Sequence, residues 1–282
     1  MKTYPNDPDF YKPIDETIAS FGYRSSNLEH LNELYKTYFE GNIPDGIDHI
    51  YIVPDGDLYR IPFEILPTEP VESPHSYGSA RYLIEDYSVS YLNTLGDLTK
   101  KQNGSNGHFE TDIAAFGISN FSEAGHQQLA DLPFSPIEVV NTVNNLNSLD
   151  RSQMFIEKNS SESNFKNIAG HARIIHLATH SRVLDNNPLF SSFYLYSGIE
   201  DPTTVTDPES RLNDGIVRVY EIFDLNLNAD LIFLSSCESG SGGYLQGAGI
   251  LGFSRAFSYA GAKSLILNLW PVRDQASAEL TP

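Results

Sequence analysis

One histidine and the chain's single cysteine each follow directly on a short apolar stretch. Arg173–Ala178 runs into Thr179-His180, and Leu231–Ser235 runs into Ser236-Cys237. Stretches of this length and composition are typical of buried strands, and functional groups gather beyond the carboxyl ends of parallel strands. A cysteine is the strongest common side-chain nucleophile near neutral pH, and a histidine beside it can take its proton. The pattern therefore predicts nucleophilic catalysis if the two strand ends meet.

The spacing of the two residues adds to this hypothesis without deciding it. His180 precedes Cys237 by 57 residues, close to the separation of about 50 residues between the histidine and cysteine of caspases. However, a lone cysteine is often a small core hydrophobe, and one of eight histidines falls near a strand end by chance. From the pattern alone, a catalytic dyad and a pair of buried structural residues both remain open.

Two other kinds of site are less consistent with the residues. His176 lies four residues before His180 and could form a metal pair with it, but the segment is β and offers no further ligand. We therefore predict that His176 is a hydrogen-bonded histidine that either supports the site residues or belongs to the core. The glycine-rich segment 240–249 is not followed by the Gly-Lys-Ser/Thr of a phosphate-binding loop. Its glycines instead favour a loop that turns sharply or approaches a substrate backbone. No metal and no cofactor are expected.

The elements that would position His180 and Cys237 alternate between strand and helix after residue 110. Near-continuous apolar strands separated by amphipathic helices predict an α/β fold with a mainly parallel central sheet and helices on both faces. Ser135 and Glu138 form the pattern of a capping box at one helix start. The predicted strands cover 113–117, 154–156, 173–178, 193–196, 231–235 and 264–269, and the predicted helices cover 135–147, 162–169, 215–223 and 248–259, with another from about residue 274.

The first hundred residues have a different pattern. Residues 1–24 are proline-bearing and predicted to be irregular, and a helix capped by Ser26, with Glu29 at the capping-box position, is expected up to Gly41. A strand at 49–53, a turn at 54–57 and a returning strand at 58–66 predict a hairpin, and a further strand is expected at 86–92. Residues 1–44 are therefore assigned to an N-terminal segment and 45–282 to one domain, with an exposed internal loop near 100–107.

The charge and cysteine content exclude several classes of partner and compartment. The chain has 18 basic and 37 acidic residues in 282, a net charge of −19, so neither nucleic acid nor a membrane surface is an expected partner. One cysteine cannot form an internal disulfide, and the N-terminus lacks the apolar stretch of a signal peptide. No apolar run approaches the roughly 18 residues that span a bilayer. A soluble, cytoplasmic protein is predicted.

Several segments form an ordered series along the chain. They are IYIVPDGDLYRIPFEIL at 50–66, YLIEDYSVSYL at 82–92, LPFSPIEV at 132–139, ARIIHLATHS at 172–181, NPL at 187–189, DGIVRVYEIF at 214–223, DLIFLSSCESG at 230–240 and GILGFSRAFSYAGAKSLILNLWPVRD at 249–274. In this order they resemble the successive blocks of a CHAT domain, the caspase-like, separase-related bacterial cysteine peptidase domain that is often attached to tetratricopeptide repeats. The resemblance covers roughly residues 45 to 280.

The resemblance implies a caspase-like α/β fold and hydrolysis of a peptide bond in a protein partner. His180 would be the base and Cys237 the nucleophile, with the backbone N–H groups of Ser181 and Cys237 forming the oxyanion hole. It also implies control by an attached sensor module, such as a helical-repeat module, in bacterial signalling, defence or cell death. The alternative function is a catalytically silent caspase-like scaffold that binds partners through the same cleft.

The sequence departs from the family's pattern in two places. Ser181 stands where the family usually has glycine, and a side chain there restricts φ if the oxyanion hole needs a positive value. The chain also ends at Pro282, soon after the WPV block, and upstream there is room for only about one helix. We therefore expect the C-terminal end of the domain to be incomplete and regulatory elements to lie outside this chain.

The acidic residues near the dyad suggest a substrate preference. Glu238 follows the cysteine and Asp185 lies five residues after His180, so both are candidate residues of the substrate pocket. Further acidic residues lie at 201, 207, 209 and 214, in the long loop that follows the strand predicted at 193–196. A pocket that accepts basic side chains is predicted, although solvated charges on a generally acidic surface would give the same pattern.

Overall fold

A computed structural model describes residues 27–55, 58–59, 61–98, 109–146, 151–184, 186–197, 213–237, 247–268 and 272–281, with the backbone alone at residues 237 and 247–251. The chain divides into two compact units, residues 1–103 and 104–282, and each has a buried apolar core of its own. The predicted loop at 100–107 lies outside the described residues. No helix in the described part of the chain is long and apolar enough to cross a membrane.

The first unit is built around one amphipathic helix, α1 (Leu28–Tyr38). Asn27, not Ser26, caps it, since the Asn27 side chain accepts from the Glu29 N–H at 2.9 Å. One side of the helix packs into a small apolar core with residues of the following loop. The buried members are Leu28, Leu31, Leu34, Ile61, Phe63 and Leu66.

The predicted hairpin in this unit is wrong. Strand β1 (His49–Ile52) pairs in parallel with β2 (Ser88–Tyr91), which follows the short helix α2 (Leu83–Asp86). Residues predicted as the returning strand contain the 3₁₀ turn Phe63–Ile65 instead. Their alternation of apolar and polar residues arises because turn residues such as Ile61 and Phe63 fill the core. Pro62 lies directly before the 3₁₀ turn, and it has no backbone N–H to donate to a neighbouring strand.

The second unit contains a mainly parallel central sheet, as predicted. Its strands are β3 (Thr111–Gly117), β4 (Ser152–Ile156), β5 (Ala172–Arg182), β6 (Ser192–Tyr194), β7 (Ile216–Arg218), β8 (Leu231–Cys237) and β9 (Leu265–Leu267). Strand β5 lies between β3 and β8, with β4 beyond β3 and β9 beyond β8, and all four of these pairings are parallel. Strands β6 and β7 add antiparallel pairings at the carboxyl end of β5.

Helices cover both faces of this sheet, which is compatible with a caspase-like fold. The helices of this unit are α3 (Ser135–Asn145), α4 (Glu162–Ile168), α5 (Val219–Ile222), α6 (Gly247–Ala260) and α7 (Asp274–Leu280). Successive residues of a strand point to opposite faces. Accordingly, Ile113 and Ala115 pack with Val139 of α3, whereas Phe116 packs with Phe165 of α4 in the cluster that α6 also joins.

Two elements of this unit differ from the prediction. The pattern of residues 215–223 predicts one helix, but they form β7 and the single-turn helix α5, because Arg218 is extended (φ −90°, ψ 152°) and β7 pairs with β6. The glycine-rich segment is predicted to be a loop up to Gly249. Helix α6 already begins at Gly247, and residues 240–246 of that segment lie outside the described residues.

Candidate active site

The two strands that carry His180 and Cys237 are neighbours in the parallel sheet, which meets the condition that the sequence left open. The register between β5 and β8 runs from Ile174 opposite Leu231 to His180 opposite Cys237. Neighbouring strands lie about 4.8 Å apart, so register partners are the closest positions on the two strands. Both positions also fall on the face of the sheet that α3 covers, since Ala178 of β5 packs with Val139 there.

His180 is completely buried and held in one orientation. Its Nε2 lies 2.7 Å from the carbonyl oxygen of Ala130, and its ring contacts Phe121 with 4.5 Å between ring centroids. A carbonyl can only accept a hydrogen bond, so Nε2 carries the proton. In the neutral ring this tautomer leaves the lone pair on Nδ1. The geometry therefore makes Nδ1 the basic atom of His180.

The residues that hold His180 belong to the loop Ile118–Leu132, which we call the histidine loop. Within it, Asp131 accepts from the Phe121 N–H at 3.1 Å. His126 Nε2 donates to the Leu195 carbonyl at 2.7 Å and so fastens the loop beside β6. Burial lowers the pKa of His126 below its ordinary value. Sequence reasoning missed this loop, because it has no periodic pattern and contributes a backbone carbonyl that any residue could provide.

A buried histidine–glutamate pair lies deeper on the same face. His176 Nε2 is 2.9 Å from Glu138 Oε1, both side chains are almost fully buried, and Thr281 Oγ1 of the C-terminal turn lies 3.2 Å from the same oxygen. The His176 ring also stacks on Phe233 of β8 at 4.8 Å. The prediction that His176 is a hydrogen-bonded histidine is confirmed, and its side chain is buried in the core.

The start of α3 is organised differently from the predicted capping box. Ser135 belongs to the helix itself, and its hydroxyl donates to the Ala178 carbonyl at 2.6 Å and accepts from the Ile118 N–H at 3.0 Å. Its partner in the pattern, Glu138, binds His176 instead. Asp274 of α7 accepts from the Phe134 N–H at 2.7 Å at the helix start. These contacts fix α3 against the end of β5.

A small pocket opens between these elements on the face that carries the His180 position. Its lining residues are Leu132, Ser135, Glu138, Ala178, Thr179, Ser235, Asp274 and Ser277. Burial raises the pKa of Asp274, partly offset by its hydrogen bond from Phe134. Among the residues that the structure describes, no lysine or arginine forms an ion pair with Asp274. The pocket therefore carries carboxyl and hydroxyl groups.

The family model of the CHAT domain matches residues 28–282, which is almost the whole chain. The chain belongs to the CHAT domain family. CHAT domains are a caspase-like family related to peptidases, in agreement with the resemblance carried by the sequence blocks. The matched region begins at α1, so it includes the helix before the domain start expected at residue 45. A search of curated proteins gave no match.

Ser181 stands at the position where the resemblance to the family leads us to expect glycine. It lies within β5, opposite Phe193 of β6, and the one non-glycine residue with positive φ in the described chain is Glu157. The serine is therefore accommodated without backbone strain. Its hydroxyl accepts a hydrogen bond from Ser236 Oγ at 2.8 Å.

The acidic residues predicted for the substrate pocket of this CHAT domain are only partly described. Glu238 and Asp185 lie outside the described residues, as do those at 201, 207 and 209. Asp214 is described, but it forms an ion pair with Arg218 at 2.8 Å and accepts from the Ile216 N–H. In the described part of the chain no group of three or more histidine, cysteine or acidic side chains could hold a metal ion.

Proposed function

We propose that this CHAT domain is a cysteine endopeptidase in which Cys237 is the nucleophile and His180 the base. The observation that supports this is the register of His180 opposite Cys237 at the ends of β5 and β8. The buried, carbonyl-bound Nε2 of His180 adds to it, because a base works best when its other nitrogen is held in place.

In the proposed reaction, His180 Nδ1 accepts the proton of the Cys237 thiol and the thiolate attacks the carbonyl carbon of the scissile peptide. The resulting oxyanion would be stabilised by the N–H groups of Ser181 and Cys237. Collapse of this intermediate breaks the C–N bond, and the imidazolium returns its proton to the leaving amine. Water then attacks the thioester, with His180 again as the base, and releases the acid product and the free thiol.

We propose that the substrate pocket accepts a basic side chain on the amino-terminal side of the cleaved bond. Glu238 and Asp185 are the candidate residues that the sequence suggests for this pocket. The carboxyl group of Asp274 lines a small cleft beside the His180 position, whereas that of Glu138 is buried against His176. Because no lysine or arginine forms an ion pair with Asp274 in the described chain, Asp274 is the better partner for a substrate lysine or arginine.

The substrate is proposed to be a partner protein in the bacterial cytoplasm, in a signalling, defence or cell-death pathway. An attached helical-repeat module or partner protein would control access to the site, as the family resemblance implies. The net charge of −19 favours a basic protein segment as substrate over nucleic acid or an anionic membrane. No cofactor enters this proposal.

The decisive experiment is covalent labelling with a mixture of peptidyl acyloxymethyl ketones that vary in the residue before the reactive group. We expect a mass shift on Cys237 that requires the folded chain and is lost in His180→Ala. Incubation with a peptide library, read by mass spectrometry, would then give the cleavage preference. A folded wild-type protein that takes up no label and cleaves no peptide would refute the peptidase and favour the silent scaffold.

A further inference from the structure

We propose that Ser181 and Ser236 form a hydroxyl clamp that sets the separation of His180 and Cys237. This inference rests on the proposed function. Each serine is the chain neighbour of one member of the dyad, since Ser181 follows His180 and Ser236 precedes Cys237. The two are positioning residues in this proposal, and neither side chain touches the reacting atoms.

The contact between the two serines is a buried cross-strand hydrogen bond. Ser236 Oγ donates to Ser181 Oγ at 2.8 Å, a normal distance for two hydroxyl groups, and the residues are only 6 % and 7 % exposed. A buried hydroxyl that loses its partner has no water to replace it, so such a bond resists separation of the strands. The clamp thus joins β5 and β8 where the dyad is carried.

The clamp lies on the opposite face of the sheet from the dyad positions. Ser181 shares its face with Leu177, and Ser236 shares its face with Leu234, both of which belong to the core cluster packed by α4 and α6. His180 and Cys237 fall on the face covered by α3. A substrate side chain bound at the dyad face therefore does not contact the clamp hydroxyls, which can act only by positioning the backbone.

A second contact fixes the same peptide from the other side. Asn268, directly after β9, donates from Nδ2 to the Ser236 carbonyl at 3.3 Å. The peptide bond is planar, so a Ser236 carbonyl held from the side of β9 also fixes the orientation of the peptide that joins Ser236 to Cys237. Asn268 and Ser181 together hold the peptide that precedes the nucleophile.

The residue at position 181 provides the acceptor of this clamp. The glycine that the resemblance to the family leads us to expect there has no hydroxyl and could not accept the bond from Ser236. The serine therefore has a structural use at a position where the sequence alone indicates only a restriction of φ. Because thiol and imidazole must stay within hydrogen-bonding distance, a shift of under about 1 Å at this point lowers the rate by between about 10-fold and 100-fold.

The single cysteine of the chain allows a direct test without a known substrate. Alkylation by iodoacetamide is followed against pH in the 282-residue chain and in Ser181→Ala, Ser236→Ala and the double variant. Ser181→Thr, which keeps the hydroxyl, is the rescue variant. Ser160→Ala is the matched control, since Ser160 is also buried but its hydroxyl has no hydrogen-bond partner in the described chain. Cleavage of the best library peptide is measured alongside.

The clamp predicts that both single variants move the alkylation midpoint towards that of a free thiol, about 8.5. The value of kcat should fall about 10-fold or more with little change in KM. The double variant should match the singles, and Ser181→Thr and Ser160→Ala should resemble wild type. Loss of thermal stability with an unchanged alkylation midpoint and kcat would refute the clamp. If Ser181→Ala does not fold, the alkylation midpoint and kcat of Ser236→Ala are compared with those of Ser160→Ala, and this comparison tests the clamp in the same way.

Failure of the proposed function has a different signature. If His180→Ala alkylates with the same pH midpoint as wild type and no peptide is cleaved, the dyad itself is wrong. If His180→Ala differs from wild type while the serine variants do not, the dyad stands and only the clamp is refuted.

Discussion

His180 and Cys237 are register partners at the carboxyl ends of two adjacent parallel strands. Two residues that lie far apart in the chain are thereby brought together by the pairing of two neighbouring strands in a sheet covered on both faces. His180 contributes no exposed surface, and its Nε2 is bound to a carbonyl. In the proposed reaction, this arrangement would position the base before any substrate arrives and so lower the entropic cost of reaching the reactive geometry.

The two dyad residues should be equally indispensable for cleavage. We expect Cys237→Ala and His180→Ala each to abolish peptide cleavage, and the double variant to be no worse than either single. Nucleophile and base act as one unit, so the loss of either one removes the contribution of both to the rate. Cleavage rates with a library-selected peptide measure this, and circular dichroism shows whether the fold is retained. Cleavage that persists in Cys237→Ala would place the activity elsewhere.

The ring of Phe121 should hold the His180 imidazole in its reactive orientation. Phe121→Leu removes the ring that packs on the imidazole, so we expect kcat to fall roughly 10-fold through misorientation of the base. Phe165→Leu is the matched control, because Phe165 is equally buried and contacts Phe116 and Phe193 but not His180. Both variants should lose about 1 kcal/mol of stability.

Thermal unfolding and cleavage kinetics of the two variants are compared in the same buffer. The prediction requires a similar drop in stability but a loss of kcat confined to Phe121→Leu. Equal losses of kcat in both variants would show that general destabilisation, and not the histidine contact, controls activity.

The central strands could be predicted because burial on both faces imposes a run of apolar residues. RIIHLA and LIFLS carry that signal, and β5 and β8 contain them. The elements predicted wrongly are short: in 58–66 a 3₁₀ turn, and in 215–223 a three-residue strand followed by a single helical turn, place apolar residues into a core. Alternation or helical spacing of a few residues cannot distinguish a turn from a strand or helix, because both bury the same side chains.

The candidate site was predictable only where side-chain chemistry marks it. The proposed nucleophile and the proposed base stand out by residue type at strand ends. The support of His180 does not, because Ala130 contributes a carbonyl that is present at every position of the chain. The contact of Ser181 with Ser236 could not be predicted from the sequence either, because it depends on the register in which two strands pair.

The buried carboxyl group of Glu162 should make stability depend on pH. It lies 2.6 Å from Lys166 Nζ and accepts from the Gly215 N–H at 2.8 Å, yet burial raises its pKa to about 7. The folded chain then takes up a proton below about pH 7, whereas the unfolded chain does so only near the ordinary value of 4.5. The free energy of unfolding should therefore fall, by about 1 to 3 kcal/mol, as pH rises from about 4.5 to 7.

Urea unfolding at about pH 5 and about pH 7.5 isolates this contribution. Glu162→Gln carries no titratable group, so its stability should lack the component that wild type loses between these pH values. Glu123→Gln, at an exposed position, should follow wild type within about 0.5 kcal/mol. An identical pH dependence in wild type and Glu162→Gln would show that Glu162 is ionised throughout the range.

The negative charge of Asp274 in the pocket beside the dyad should favour basic substrates. In Asp274→Asn the amide oxygen can still accept from the Phe134 N–H, so α3 should stay in place while the charge is lost. We expect kcat/KM for peptides with lysine or arginine before the cleaved bond to fall about 10-fold or more, and that for uncharged peptides to change little. Glu238→Gln and Asp185→Asn should shift the preference in the same direction. Library cleavage read by mass spectrometry measures all three variants, and a wild-type preference for acidic or apolar residues at that position would refute a basic-residue pocket.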